Sequence, residues 1–186
     1  MSGQSKHSIT GGAFLENSNE LFTFLDETHQ DIYVKLNWIS TLMSEVEIHN
    51  YTTQHQKQIE EVCRFFDVEV REHHVDEEKY VFPSLLLKQD PNLAELTRKL
   101  FVDHERFEES WKHISMMLKA LLHGNEWFTS KELRQEFNAF HVLNLKHMKL
   151  EESIVYPEAS NTDLSGESKQ IQLEMHKRRA KHTHSA

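Results

Sequence analysis

Turn-forming residues are scarce in this chain. Five glycines and three prolines in 186 residues are too few to punctuate a strand-rich fold, and the deficit points to long helices. A single cysteine, Cys63, excludes an intramolecular disulfide and suits a reducing compartment. Long apolar runs are missing as well. The first 20 residues hold no signal-peptide core, and no stretch approaches the length of a membrane span. Together these absences predict a cytoplasmic protein with no membrane association. Positive charge is in deficit: 21 Lys and Arg stand against 30 Asp and Glu, and the net charge of −9 argues against nucleic acid as a partner. No serine–histidine–acid arrangement, phosphate-cradling glycine loop or pocket for a large organic substrate is legible.

What remains is 38% hydrophobic and rich in histidine, with 14. Residues 1–16, rich in Gly and Ser, read as a loose arm. Four long patterns follow with apolar spacing that alternates three and four, the mark of a helix with one buried face. The first, from about Ser18 to Ile48, carries the stripe Leu25, His29, Ile32, Leu36, Ile39, Met43, Val46. The second, from about Thr53 to Phe82, carries Ile59, Val62, Phe66, Val70, His73, Glu77, Tyr80. The third opens with Asp90 as N-cap and Pro91 at the first helical position, carries Leu93, Leu96, Leu100, His104, Phe107, Trp111, Ile114, Leu118, Leu121, and stops at Gly124. The fourth opens with a Thr129/Glu132 capping box and carries Leu133, Phe137, Phe140, Asn144, His147, Glu151, Ile154. Pro83 and Pro157 should end or kink the second and fourth helices. The prediction is an all-α protein. Residues 17–160 form an antiparallel up-down-up-down four-helix bundle, and the tail 161–186 holds a short fifth helix around 167–179 with a solvated basic end.

Every stripe places a histidine where an apolar residue belongs. Two stretches, "HHVDEEKYVFP" at 73–83 and "HMKLEESIVYP" at 147–157, repeat the step from histidine to glutamate four residues on. The midpoints between His29 and His73, His73 and His104, and His104 and His147 all fall on expected connections. In an antiparallel bundle the four histidines therefore form one layer, with Glu77 and Glu151 one turn further along parallel helices. Burying two carboxylates and four imidazoles is costly without compensation, and a pair of cations supplies it. The candidate metal ligands are His29, His73, Glu77, His104, His147 and Glu151, with both glutamates bridging. Such a mixed set suits iron, manganese or zinc, and spacing alone does not choose.

The ordered set, carried by "DETHQDIY", "HHVDEEKYVFP", "DHERFE" and "HMKLEESIVYP", resembles the hemerythrin-like family of cation-binding four-helix bundles across about residues 20–157. The resemblance implies two iron ions in a non-haem centre, bridged by the two carboxylates and an oxo or hydroxo group. Oxygen carriers of the family typically add an H-x-x-x-H step on the third helix. Here His104 is followed four residues later by Glu108, and the pattern is more similar to members linked to nitric oxide stress and repair of iron centres. Those repair proteins usually carry an N-terminal cysteine-containing domain, and residues 1–19 contain no cysteine. The implied function is engagement of a small diatomic ligand, oxygen or nitric oxide, in sensing, stress response or iron handling. The alternatives are a di-iron redox enzyme (oxidase, peroxidase or nitric oxide reductase) and a metal-stabilised interaction module. Around the six ligands, His74 or His141 could add a fifth nitrogen, and Tyr33 or Tyr80 could donate to a bridging oxygen. Glu69 could hold the second nitrogen of a ligand histidine, and Asn144 could line the cavity.

Overall fold

The computed structural model describes residues 12–45, 52–124, 127–161 and 168–183. Among them there is no strand, and these residues form five helices. Helix α1 spans Gly12–Glu45. Helix α2 is the continuous helical run 53–86, α3 is Pro91–Leu122, α4 is the run 130–160 and α5 is Ser168–Thr183. Helix α1 starts before the expected Ser18, so residues 12–16 of the anticipated arm are helical. Val46 and Ile48, expected in the first helix, lie outside the described residues. No helix among the described residues is long and apolar enough to cross a membrane.

Local chemistry sets the helix ends. The Asp90 side chain accepts from the amides of Asn92 and Leu93, and Pro91 occupies the first position, where no amide proton is needed. Thr129 and Glu132 form the expected reciprocal box at the start of α4. At the start of α2, Thr52 pairs in the same way with His55. Gly124 has φ of 61° just past α3, the left-handed conformation that favours glycine at a helix stop.

Neither proline ends its helix. Each sits just after a π-helical turn, Glu77–Val81 or Glu151–Val155, and an α-helical turn then resumes. In those turns the Phe82 amide donates to the Glu77 carbonyl, and the Tyr156 amide donates to the Glu151 carbonyl. A proline has no amide proton and its ring crowds the carbonyl four residues back, so the wider turn absorbs the conflict without breaking the helix. The extra residue also rotates everything beyond it. Of the residues expected on the buried stripes, Ile154 is exposed and Tyr80 is only half-buried, while Val81, Phe82, Val155 and Tyr156 take the buried positions.

Helix α1 meets α2, α4 and α5; α2 meets α3, α4 and α5; α3 lies along α4. Two apolar clusters result. One draws on Leu36, Ile59, Phe107, Ile114 and Phe137, the other on Leu25, Phe82, Leu100, Val155 and Met175. Along α1 to α4, the His and Glu residues fall between the segments that supply these two clusters.

The C-terminal helix corrects the expectation of a solvated basic end. Ile171 and Met175 are buried in the second cluster. Asp76, fully buried, pairs with both Arg178 and Arg179, the latter at 2.7 Å. Arg178 also meets Glu72 at 2.8 Å, and Glu174 accepts from Tyr80 at 2.6 Å and from Lys79 at 2.9 Å. Helix α5 therefore neutralises a buried carboxylate that sits one residue before Glu77. Breaking a buried ion pair leaves a charge without a partner. Arg179→Ala is expected to lower the unfolding free energy by about 3 kcal/mol, and adding Asp76→Asn should recover part of that loss. Urea denaturation measures both; unchanged stability in the single variant would contradict the clamp.

Candidate metal centre

All six expected ligand residues are buried and all six come together. His29, Glu77 and Glu151 are 0% exposed, His73 is 1%, and His104 and His147 are 3%. The four imidazoles turn their Nε2 atoms toward the two carboxylates. His29 Nε2 lies 3.4 Å from Glu151 Oε2 and 4.0 Å from Glu77 Oε1. His73 Nε2 lies 3.5 Å from Glu77 Oε1. His104 Nε2 lies 3.5 Å from Glu77 Oε2 and 3.7 Å from Glu151 Oε1. His147 Nε2 lies 2.9 Å from Glu151 Oε1 and 3.0 Å from His104 Nε2. Two groups of potential ligands follow: His29, His73, Glu77 and Glu151, and His104, His147, Glu77 and Glu151. Within each, the ligand atoms lie within 4.8 Å of one another, and both groups contain both glutamates.

The donor set fits a pair of cations. Glu77 Oε2 and both Glu151 carboxylate oxygens are buried with no hydrogen-bond partner, and two imidazole nitrogens face each other at 3.0 Å. Such atoms are unfavourable together unless a proton or a cation lies among them. In the metal-free protein their titration shows the conflict. Burial and the neighbouring Glu151 push the Glu77 carboxyl well above its ordinary range. Burial acts on Glu151 in the same direction, but the imidazoles of His147, His104 and His29 outweigh it and hold Glu151 well below. Carboxylates sharing a buried site are driven apart in this way. Burial depresses His147, yet Glu151 and Asp103 overcome it and raise the imidazole to about 9. His73 is pushed well below its ordinary value, chiefly by burial and then by the His29 charge.

The outer nitrogens have carboxylate neighbours. His29 Nδ1 is 3.0 Å from Glu152 Oε1, and His104 Nδ1 is 2.8 Å from Glu78 Oε1. His147 Nδ1 faces Asp103 Oδ2 at 4.0 Å. Carboxylates in this place orient an imidazole and fix which nitrogen points inward. Glu78 and Glu152 follow Glu77 and Glu151 directly, so each repeat supplies one inward glutamate and one that crosses to a histidine of a neighbouring helix. The doubled Glu in "DEEKY" and "LEESI" was the sequence signal for this pair. Glu69, the expected outer partner, instead meets Arg179 at 3.4 Å.

A tyrosine does reach the centre, but not one of the two expected. Tyr80 is held by Glu174 of α5, and Tyr33 is half-buried beside the first apolar cluster. Tyr156 donates to Glu77 Oε1 at 2.5 Å and lies 3.2 Å from His29 Nε2. Its ring stacks on His29 at 5.5 Å, as the ring of Phe82, at the matching place in the first repeat, stacks on His104 at 5.4 Å. Burial and the two glutamates raise the phenol well above its ordinary value, so it stays protonated as a donor. The difference between "VFP" and "VYP" therefore gives one half of the site a hydroxyl that the other lacks.

Of the two flanking histidines, His74 is close and His141 is not. The His74 ring stacks on His104 at 4.0 Å, and His74, His104 and His147 form a further group of potential ligands. His141 is half-buried against Phe137 and joins none of the groups. Asn144 is buried, donates to the Phe140 carbonyl and lines a cavity beside the centre. Glu108 is exposed on the surface near Arg71.

The family model described as "Hemerythrin HHE cation binding domain" matches residues 20–178, which includes all six clustered residues and most of α5. An uncharacterized protein of Haemophilus influenzae is 28% identical over 119 residues, covering 64% of this chain and 69% of that protein. No solved structure matches the chain. A buried His/Glu cluster with two groups of potential metal ligands, in an all-helical chain matched over most of its length, leads to one assignment: this protein belongs to the hemerythrin HHE cation-binding family.

Proposed function

We propose that helices α1 to α4 form an antiparallel four-helix bundle holding two iron ions, and that the protein engages oxygen or nitric oxide in sensing, stress response or iron handling. Support for the antiparallel arrangement comes from the contacts of α1 with α4: His29 midway along α1 reaches Glu152 late in α4, while Arg134 near the start of α4 reaches the Met43 carbonyl late in α1. The observation that carries the metal reading is the sharing of Glu77 and Glu151 between two four-residue groups. His29 and His73 would hold one ion and His104 and His147 the other, with both glutamates bridging. Iron, when bound, would supply a redox couple able to take a diatomic ligand; manganese and zinc fit the same donors.

The chain's own part is to exclude water, fix the imidazoles and place a proton. Buried side chains from both apolar clusters close over the layer. Glu78 and Glu152 hold His104 and His29 from outside, and the Tyr156 hydroxyl offers a proton at Glu77 Oε1. The cytoplasmic setting expected from the lone cysteine belongs to this reading. A second reading, a redox enzyme acting on an organic molecule, draws support from a cavity of about 420 Å³ that His74 lines, with its ring stacked on His104.

Two outcomes test the metal assignment. Anaerobic loading with ferrous iron should saturate at two ions per chain by elemental analysis. Glu77→Ala or Glu151→Ala should reduce the content toward zero, whereas His73→Ala should retain one ion; loss of the same single ion from all three variants would contradict shared glutamates. Loading should also release protons. His147 is raised to about 9, so its ion pairing stabilises the metal-free fold below its unfolded value of 6.5 and is lost as pH rises through about 9. A metal requires the neutral imidazole. Proton release on loading, followed in weak buffer, should therefore be larger at about pH 7 than at about pH 10. Equal release at both would contradict the assignment of His147.

A further inference from the structure

Between α2 and α3, with α4 as its base, lies a cavity of about 420 Å³. That size is ordinary for a small-molecule site. Its floor is aromatic and buried: Phe66, Phe107, Trp111 and Phe140 all line it and none is more than 6% exposed. Phe66 and Trp111 are stacked at 4.4 Å, and Phe107 stands edge-on to Phe140. At the buried end are two polar residues, His74 and Asn144. His74 is 5% exposed, and its Nδ1 is buried with no hydrogen-bond partner.

The mouth is charged. Three exposed cations, Arg71, Lys112 and Lys119, line it with two carboxylates, Asp67 and Glu108. Asp67 is engaged by the Trp111 indole at 2.8 Å and by Lys119 at 3.1 Å, and Glu108 lies 3.7 Å from Arg71. Those pairings leave Lys112 as the excess positive charge at the mouth.

We propose that this cavity binds a small planar aromatic molecule carrying one negative charge. Its ring system lies against the floor of Phe66, Trp111, Phe107 and Phe140, and its acidic group meets Lys112. The aromatic floor selects flat apolar surface, which dispersion and water exclusion favour, and the excess cation selects the charge. The site does not require a metal ion. It does adjoin the candidate centre, because the His74 ring that lines it stacks on His104 at 4.0 Å. The bound molecule would thus sit one imidazole away from a candidate metal ligand.

The experiment uses full-length metal-free protein labelled with nitrogen-15, so that failure of the metal reading leaves it unaffected. The probe is 2-naphthoate, and the readout is the three indole N–H cross-peaks of Trp38, Trp111 and Trp127. Saturable movement of the Trp111 peak, with Trp38 and Trp127 stationary, is the expected result. Lys112→Glu, a change at an exposed position, should weaken 2-naphthoate about tenfold and leave the neutral 2-naphthamide unchanged. A Trp111 peak that never saturates, equal movement of all three peaks, or unaltered 2-naphthoate affinity in Lys112→Glu would each overturn the proposal.

Discussion

Two carboxylates buried face to face are the constraint on which the rest of this structure depends. Glu77 and Glu151 are both 0% exposed, and three of their four oxygens lack a hydrogen-bond partner. Without a compensating charge, one of the pair is driven to hold a proton while the other is kept ionised by imidazoles. Each surrounding feature addresses that charge. Four imidazoles face inward, Glu78 and Glu152 hold two of them from outside, and the Tyr156 hydroxyl covers one oxygen. Two apolar clusters then seal the layer, making an uncompensated charge inside costly and a bound cation correspondingly stabilising.

The layer was legible in the sequence because it is periodic. Each helix carries one stripe, and the histidines and glutamates sit in register with Leu36, Phe66, Leu100 and Phe137, which the structure buries. Legibility fails where periodicity does. The π-helical turns Glu77–Val81 and Glu151–Val155 each add a residue from a glutamate onward, so a strict three-and-four count lands on Tyr80 and Ile154 instead of Val81 and Val155. The same slip hides Tyr156, which a straight helix would turn away from the centre. Proline placement held the clue: Pro83 and Pro157 follow their glutamates by the same six residues, and widening the turn before such a proline is one way a helix continues past it.

The other misreadings are of long-range contacts. Nothing near Asp76 in sequence announces that Arg178 and Arg179 will neutralise it, so a basic terminal run resembles a solvated tail until the chain is folded. The cavity between α2 and α3 was equally hidden, since its aromatic residues sit on ordinary core stripes and only their spacing across helices leaves room. The internal repeat is also less symmetric than its spacing suggests. The Tyr156 hydroxyl marks the His29 side, while His74 and the cavity mark the His104 side. Two metal positions built from the same residue types would thus differ in proton supply and in access.

The central claim is that both glutamates are shared by two metal ions held side by side. X-ray absorption at the iron edge of the anaerobically loaded protein tests it most directly, because a neighbouring iron scatters far more strongly than carbon, nitrogen or oxygen. The account predicts a distinct iron–iron path together with imidazole scattering, the iron–iron path being lost in Glu77→Ala and in Glu151→Ala. Iron bound at full occupancy with imidazole scattering but no iron–iron path would contradict it.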